Sequence, residues 1–176
     1  MAGWLEGARR SPSANSDARP AGVAVSLLVL HAISLPRGVY RGDGVERLFT
    51  NRLDPGEHAT FAGLAGLRVS AHFLIRRDGE LLQFVPLERR AWHAGASRWR
   101  GRERCNDFSV GVELEGIDDA PFAPAQYDCL VWVTRRLQAM LPIRAFAAHS
   151  DVAPRRKSDP GTGFDWSRLL RRLGQA

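Results

Sequence analysis

The prediction of the fold starts from the segment Ser26–Ile33, which reads SLLVLHAI. Its side chains are apolar at odd and even positions alike, as expected of a central strand that is covered on both faces. His31 lies close to its end, where open α/β sheets commonly place their sites. A lone histidine at a strand end is more often structural than a ligand, so His31 needs a partner before it becomes a site candidate.

A second strand, Phe108–Glu115 (FSVGVELE), alternates cleanly and places Gly111, Glu113 and Glu115 on one face. Gly111 leaves space on that face, so we expect another group to approach the sheet there. The strand is otherwise apolar enough to be internal, which favours a cleft around the two carboxylates. Alternation alone does not choose between them.

Hydrophobic periodicity and turn residues predict the other elements. These are a hairpin of Ser70–Arg76 and Glu80–Val85, a strand at Ala145–Ala148, and helices at Gly44–Asn51, His58–Leu67, Pro124–Leu141 and Asp165–Leu173. Together they predict one α/β domain over residues 1–176, with a mixed central sheet of about five strands flanked by α-helices. Residues 1–22, rich in Pro, Ser, Gly and Ala, predict an irregular arm packed on it.

Bulk composition narrows the class of protein. The chain has 176 residues, 44% of them hydrophobic, and a formal net charge of +6. These values are typical of a basic globular domain. Its arginines are scattered, without a zinc-finger, helix-turn-helix or stacking-sheet signature, so we expect no nucleic-acid partner. A basic surface, or a groove for an acidic small substrate, fits better.

Targeting signals are not expected from this sequence. The Arg9-Arg10 pair is separated by a polar stretch from the apolar run Ala21–Leu30, which is shorter than a membrane span. The two cysteines, Cys105 and Cys129, fit no metal motif and are compatible with a reducing compartment. We therefore expect a cytoplasmic protein with no membrane partner.

Most of the candidate chemistry lies in the loop His149–Gly161, which reads HSDVAPRRKSDPG. It follows the apolar run Ala145–Ala148, and its prolines and glycine prevent regular structure. The loop contains Lys157, the one lysine among 25 basic residues. An ammonium and a planar guanidinium present charge differently, so this lone lysine indicates a position where arginine would not serve.

Two histidines and a carboxylate would leave Zn²⁺ one open position for water. His31, His149 and Asp159 supply such a set, and Asp151 is the rival carboxylate, which could instead cap the turn. Neutral imidazoles and one carboxylate would leave net positive charge on the zinc, which acidifies its bound water.

Two further aromatic positions have more than one interpretation. His72 is compatible with a ligand, a groove-lining residue or a core histidine, and we favour the groove. The segment Ala91–Gly95 pairs Trp92 with a histidine, which fits a wall that stacks on a sugar and fits core packing equally well.

The sequence resembles the cytoplasmic 1,6-anhydro-N-acetylmuramyl-L-alanine amidases (AmpD type), within the zinc amidases that include phage amidase lysozymes and peptidoglycan recognition proteins. The motifs that support this resemblance run from residue 3 to about residue 166. They are Gly3–Arg10 (GWLEGARR), Leu28–His31 (LVLH), Arg68–His72 (RVSAH), Arg76–Gly79 (RRDG), Ala91–Gly95 (AWHAG), Gly101–Ser109 (GRERCNDFS), Gly111–Gly116 (GVELEG) and His149–Gly161.

The resemblance implies a role for each candidate residue. His31, His149 and Asp159 would bind one Zn²⁺, Glu113 would activate the water, and Lys157 would lie beside the oxyanion. The residues implied to line a groove for the anhydro-sugar and the acidic stem peptide are Arg68, His72, Trp92, Arg104 and Arg156. Ala32 departs from the family pattern, which commonly has asparagine there, and this puts one hydrogen bond to substrate in doubt.

The expected function is therefore hydrolysis of the amide between 1,6-anhydro-N-acetylmuramic acid and L-alanine of muropeptides, in cell-wall recycling, by a protein that we expect to be monomeric. By resemblance, such enzymes also lower the muropeptide signals that induce β-lactamase. One alternative is a secreted or phage-type amidase that acts on intact peptidoglycan. Another is a peptidoglycan-binding module without catalysis, although all three metal ligands are present.

Overall fold

A mixed, six-stranded sheet runs through the computed structural model, which describes residues 3–175. The strands in chain order are β1 (Arg9–Arg10), β2 (Ser16–Ala18), β3 (Leu27–Ile33), β4 (Phe73–Ile75), β5 (Leu81–Gln83), β6 (Arg89–Ala91), β7 (Arg98–Trp99), β8 (Arg102–Glu103), β9 (Ser109–Glu115) and β10 (Ala145–Ala148). The order across the sheet is β1-β5-β4-β9-β3-β10, while β2 pairs with β6 and β7 with β8. This confirms the α/β class, with one strand more than the five or so predicted.

The additional strand comes from the N-terminal arm. β1 lies parallel to β5, with Arg9 opposite Leu82, and β2 lies antiparallel to β6, with Ser16 opposite Ala91. The prediction of an irregular arm over residues 1–22 is therefore wrong for these two segments, and residues 1 and 2 lie outside the described range. Strands of two or three residues are too short to show an alternating pattern in sequence.

Four α-helices and two 3₁₀ turns complete the described chain. They are α1 (Gly44–Phe49), α2 (Pro124–Met140), α3 (His149–Val152) and α4 (Trp166–Leu173), with 3₁₀ turns at Ala59–Leu64 and Cys105–Asp107. The helix predicted at His58–Leu67 is thus a 3₁₀ turn, in which Phe61 is the one buried residue and glycines weaken helix propagation. No helix within residues 3–175 is long and apolar enough to cross a membrane.

The central strand β3 has the two-sided burial that its sequence predicts. Leu28 and Leu30 pack on the face covered by α2 and α4, and Leu27 and Val29 pack on the opposite face. All four side chains are at most 1% exposed. Burial of such side chains typically stabilises the fold by about 1.5–3 kcal/mol each, so the position of β3 is fixed firmly.

Parallel pairing brings the predicted site residues to one edge of the sheet. β3 runs parallel to both β9 and β10, so the C-terminal ends of the three strands meet. Within this register His31 is the direct partner of Glu113, and His149 follows immediately after β10. Paired positions on neighbouring strands project to the same face. The histidine and the carboxylate therefore lie side by side.

Candidate metal centre

Three possible ligand atoms converge at this edge of the sheet. The Nδ1 atoms of His31 and His149 are 2.9 Å apart, and Asp159 Oδ2 lies 3.0 Å from His149 Nδ1 and 3.4 Å from His31 Nδ1. Both histidines are buried and Asp159 is partly buried. The structure thus brings together the three residues predicted as metal ligands.

Asp159 is held in this position by its own loop. Its carbonyl accepts a hydrogen bond from Ser150 N at 3.0 Å, and its Oδ2 lies 3.4 Å from Ala32 N on β3. Gly161, at φ +77°, packs so closely on Asp118 that a Cβ would lie 2.0 Å from the Asp118 carbonyl oxygen. A glycine is therefore required two residues after the carboxylate.

Asp151, the alternative carboxylate ligand, does not face the two histidines. Asp151 is exposed, and its Oδ2 accepts a hydrogen bond of 2.8 Å from Ala148 N at the start of α3. This contact satisfies one of the backbone donors left free at a helix N-terminus. Asp151 therefore caps α3, while Asp159 faces the histidines.

The triangle of atoms suits a tetrahedral ion. Ligands about 2.0–2.2 Å from tetrahedral Zn²⁺ lie about 3.3–3.6 Å from one another, so a slight expansion of the observed triangle would admit the ion. Burial lowers the pKa of His31 to about 4, which keeps its ring neutral. Burial opposes ionisation of Asp159, but its contacts with the two rings outweigh this effect and keep its pKa below the ordinary value. Neutral imidazoles with a carboxylate are the donors that Zn²⁺ takes.

Glu113 is a buried carboxyl group beside this cluster. It is 7% exposed, and its Oε2 has no hydrogen-bond partner among the described residues. It lines a cavity of about 240 Å³ together with His149, Lys157 and Asp159. Burial, together with the nearby Asp159 carboxylate, raises the pKa of Glu113 well above its usual range. A buried, unpaired carboxyl group in a cavity is a candidate for proton transfer.

Both oxygens of the second carboxylate of β9, that of Glu115, accept hydrogen bonds. Glu115 accepts hydrogen bonds from Arg41 N at 2.8 Å and Arg77 N at 3.0 Å, and it lies 3.5 Å from the Arg76 guanidinium. These contacts join β9 to the hairpin turn and to the loop before α1. The structure therefore separates two carboxylates that strand alternation left equivalent.

Lys157 is exposed on the rim of the cluster. It lines the cavity that contains Glu113, and also a neighbouring cavity of about 280 Å³ that is walled by Asp159, Arg37 and Arg156. Its backbone N–H donates to Ala153 O at 3.1 Å, which fixes the turn that follows α3. A cation is thus available where the two cavities meet.

The residues implied to line the groove are placed unevenly. Trp92 lies in the wall of the cavity that contains Glu113, while Arg104 and Arg156 line a third cavity of about 560 Å³. Arg156 also donates to Ala96 O at 2.9 Å. Arg68 is exposed and lies next to Val69 at the edge of the first cavity, without lining it.

The prediction that His72 lines the groove is wrong. Its side chain is fully buried, and its Nδ1 accepts a hydrogen bond of 3.1 Å from Gly111 N, while its Nε2 lies 3.1 Å from Arg89 O. Burial, with the nearby Arg19 guanidinium, lowers the pKa of His72 to about 3. His72 is a core histidine that joins two strands.

A residue that the sequence left undecided, His93, is in direct contact with the cluster. Its Nδ1 lies 2.9 Å from His31 Nε2, and its ring is packed against Gly111, where a Cβ would lie 2.5 Å from His93 Cγ. The space predicted above Gly111 is therefore occupied by this imidazole. Burial lowers the pKa of His93 well below its ordinary value. The glycine in the middle of an otherwise regular strand was the signal that could have identified it.

Comparisons with known proteins place this chain in a family of amidases. Residues 21–162 match the family model described as N-acetylmuramoyl-L-alanine amidase. The 1,6-anhydro-N-acetylmuramyl-L-alanine amidase AmpD of Escherichia coli is 54% identical over 169 residues, which cover 95% of this chain and 92% of that protein.

Two solved structures extend the comparison. A crystal structure of an AmpD selenomethionine derivative superposes with a TM-score of 0.96 at 52% identity, covering 98% of each chain. The amidase AmiD of E. coli, in complex with the substrate anhydro-N-acetylmuramic acid-L-Ala-D-gamma-Glu-L-Lys, superposes with a TM-score of 0.63 at 30% identity, covering 88% of this chain and 60% of that one.

The two aspartates of the loop should respond differently to substitution. We expect Asp159→Ala to lose Zn²⁺ during dialysis, because one of three converging ligands is removed. Asp151→Ala should retain Zn²⁺ and lose about 1 kcal/mol of unfolding free energy with the helix cap. Metal analysis and urea denaturation measure both effects. Retention of stoichiometric Zn²⁺ by Asp159→Ala would exclude it from the ligand set.

Proposed function

Because this chain belongs to the N-acetylmuramoyl-L-alanine amidase family, we propose that it hydrolyses the amide between the lactyl group of 1,6-anhydro-N-acetylmuramic acid and L-alanine in soluble muropeptides. One observation supports this proposal most strongly. The buried carboxyl group of Glu113, with one oxygen free of hydrogen bonds among the described residues, lies in one cavity with a cation and side chains that could bind a metal. Amide hydrolysis needs these three components together.

His31, His149 and Asp159 would hold one Zn²⁺ ion per chain. Their donor atoms converge from two rigid strand ends and one constrained loop. When bound, Zn²⁺ would act as a Lewis acid toward the substrate carbonyl and would acidify a water molecule at its open position.

Glu113 would act as the general base and then as the general acid. Its raised pKa brings it closer to the range in which a carboxyl group exchanges protons at neutral pH. It would take the proton from the attacking water and pass it to the nitrogen of the leaving L-alanine. Since Oε2 has no competing partner among the described residues, it is free to accept that proton.

Lys157 would stabilise the charge that develops during the reaction. As water adds to the amide carbon, negative charge builds on the former carbonyl oxygen, and the Lys157 ammonium on the cavity rim would stabilise this charge. Such a cation acts on the transition state more than on the neutral amide, so it lowers the barrier.

The surrounding surface suits a sugar that carries an acidic peptide. Trp92 offers an aromatic face in the wall of the catalytic cavity, and Arg156 and Arg104 line the third cavity. Guanidinium groups bind carboxylates with paired hydrogen bonds, and the peptide of the AmiD substrate carries such groups. Arg68 would contact substrate from the rim.

We further propose that the protein works as a cytoplasmic monomer in cell-wall recycling. Hydrolysis of soluble anhydromuropeptides would also lower the signals that induce β-lactamase. An amidase that acts on intact peptidoglycan is the alternative, because the family as a whole is defined by the bond that is cleaved and not by the size of the substrate.

Substrate preference tests the proposal. The Zn²⁺-loaded enzyme should release the peptide from a soluble anhydromuropeptide and should release little peptide from purified sacculi, because the cavities described are small and lined by charged groups. Product analysis by liquid chromatography would compare the two rates. Comparable rates on both substrates would favour the wall-lytic alternative.

Substitution of the two carboxylates of β9 should affect turnover and stability in opposite ways. Glu113→Gln should retain its fold and its Zn²⁺ but lose about 10²–10⁴-fold in kcat, because an amide cannot carry the proton. Glu115→Gln should lose stability, since it weakens contacts with Arg41 and Arg77, and should keep most of its turnover. Steady-state kinetics and thermal unfolding measure the pair. If Glu115→Gln were the catalytically impaired variant, the assignment would be reversed.

Lys157→Ala should lower kcat by about 10²–10³-fold, with little change in KM or zinc content, because a donor to the transition state is removed. Lys157→Arg should recover part of this loss, since its charge is kept in a wider, planar group. Arg155→Ala is a matched control, because it removes an exposed cation of the same loop that does not line the described cavities. If Lys157→Ala kept activity within a few-fold of the parent, Lys157 would not be a catalytic residue.

A further inference from the structure

A chain of hydrogen bonds leads away from the metal cluster on the far side of His31. His31 Nε2 lies 2.9 Å from His93 Nδ1, and His93 Nε2 lies 3.1 Å from Ser109 Oγ. Ser109 Oγ in turn lies 2.6 Å from the carbonyl oxygen of Cys105. All four residues are buried. The chain therefore begins at a candidate metal ligand and ends at a backbone carbonyl in the core.

The carbonyl at its end fixes the direction of every bond in the chain. A carbonyl only accepts, so at 2.6 Å the hydroxyl hydrogen of Ser109 must point to Cys105 O. Ser109 Oγ can then only accept, and the hydrogen that it receives is on His93 Nε2. A neutral imidazole that carries its one hydrogen on Nε2 has a bare Nδ1. Its Nδ1 therefore accepts, and the donor is His31 Nε2–H.

We propose that His93 is a positioning residue, which holds His31 in the tautomer that carries its hydrogen on Nε2 and turns the bare Nδ1 lone pair toward His149 and Asp159. Nδ1 is the atom of His31 that faces those two side chains, at 2.9 Å and 3.4 Å. The inference depends on the proposed metal site, for which neutral imidazole nitrogen is the required donor.

The His93 ring is itself held from two sides. Asn106 Oδ1 accepts hydrogen bonds from the backbone N–H groups of His93 at 3.3 Å and Ala94 at 2.8 Å. Gly111 lies beneath the ring and leaves no room for any larger residue. The ring is thus confined in position as well as in hydrogen bonding.

His149 offers a contrast within the same cluster. Its second nitrogen, Nε2, is buried and has no hydrogen-bond partner among the described residues. Of the two candidate histidine ligands, His31 is therefore the one whose second nitrogen contacts a side chain outside the cluster. Loss of His93 should then affect the metal site through His31.

Two nearly isosteric substitutions test the proposal. His93→Leu removes the acceptor, and His93→Asn places an amide oxygen close to the former position of Nδ1. His93→Leu should weaken Zn²⁺ binding by about 10–100-fold, while His93→Asn should stay within a few-fold of the parent. Chelator competition measures the affinity, and the thermal midpoints of the metal-free proteins report whether each variant folds.

Imidazole ¹⁵N NMR of the metal-free parent provides a second, independent measurement. We expect His31 and His93 to carry their hydrogens on Nε2. A hydrogen on Nδ1 of His31, or equal Zn²⁺ affinity of the parent and a folded His93→Leu, would overturn the proposal. If the parent bound no Zn²⁺, the proposed function would fail as well. If the parent bound Zn²⁺ but His93→Leu and His93→Asn had the same Zn²⁺ affinity, the role of His93 would be contradicted and the proposed function would stand.

Discussion

The parallel register between β3 and β9 places His31 directly beside Glu113, and the rest of the site is built around that pair. Side chains alternate between faces along a strand, so a slip of one residue would move one of the two to the opposite side of the sheet. The packing of β3 disfavours such a slip, because it would turn the polar ring of His31 into the apolar cluster beneath α2 and α4. The same packing that stabilises the fold therefore also sets the geometry of the site.

The site concentrates titratable groups where burial disfavours their charge. His31, His93 and Glu113 all have pKa values shifted toward their neutral forms, with burial as the leading cause. Asp159 is the exception, since contacts with the imidazole rings keep it ionised. One carboxylate among neutral nitrogen donors leaves a divalent cation with net positive charge, which is the condition for Lewis-acid catalysis.

Much of this arrangement could be predicted from the sequence, with the family resemblance adding the choices that patterns left open. Apolar residues on both faces identified β3, and alternation identified the face of β9 that carries Glu113. Periodicity could not distinguish Glu113 from Glu115, because the difference lies in hydrogen bonds from Arg41 and Arg77, which are distant in sequence.

Other features depend on tertiary contacts that leave little trace in local sequence. His72 and His93 both look like groove or core residues from their neighbours, and what separates them is which ring contacts His31. β1 consists of two residues, and it becomes a strand because β5 offers it an edge. Long, buried strands are therefore readable from sequence, whereas short edge strands and the partners of buried polar groups are not.

Anomalous diffraction at the zinc edge, on crystals of the Zn²⁺-loaded protein, would show directly which side chains hold the metal. We expect one strong peak per chain, about 2.0–2.2 Å from Nδ1 of His31, Nδ1 of His149 and a carboxylate oxygen of Asp159. A peak coordinated by Nε2 of either histidine or by Asp151, or no peak at this edge of the sheet, would contradict it.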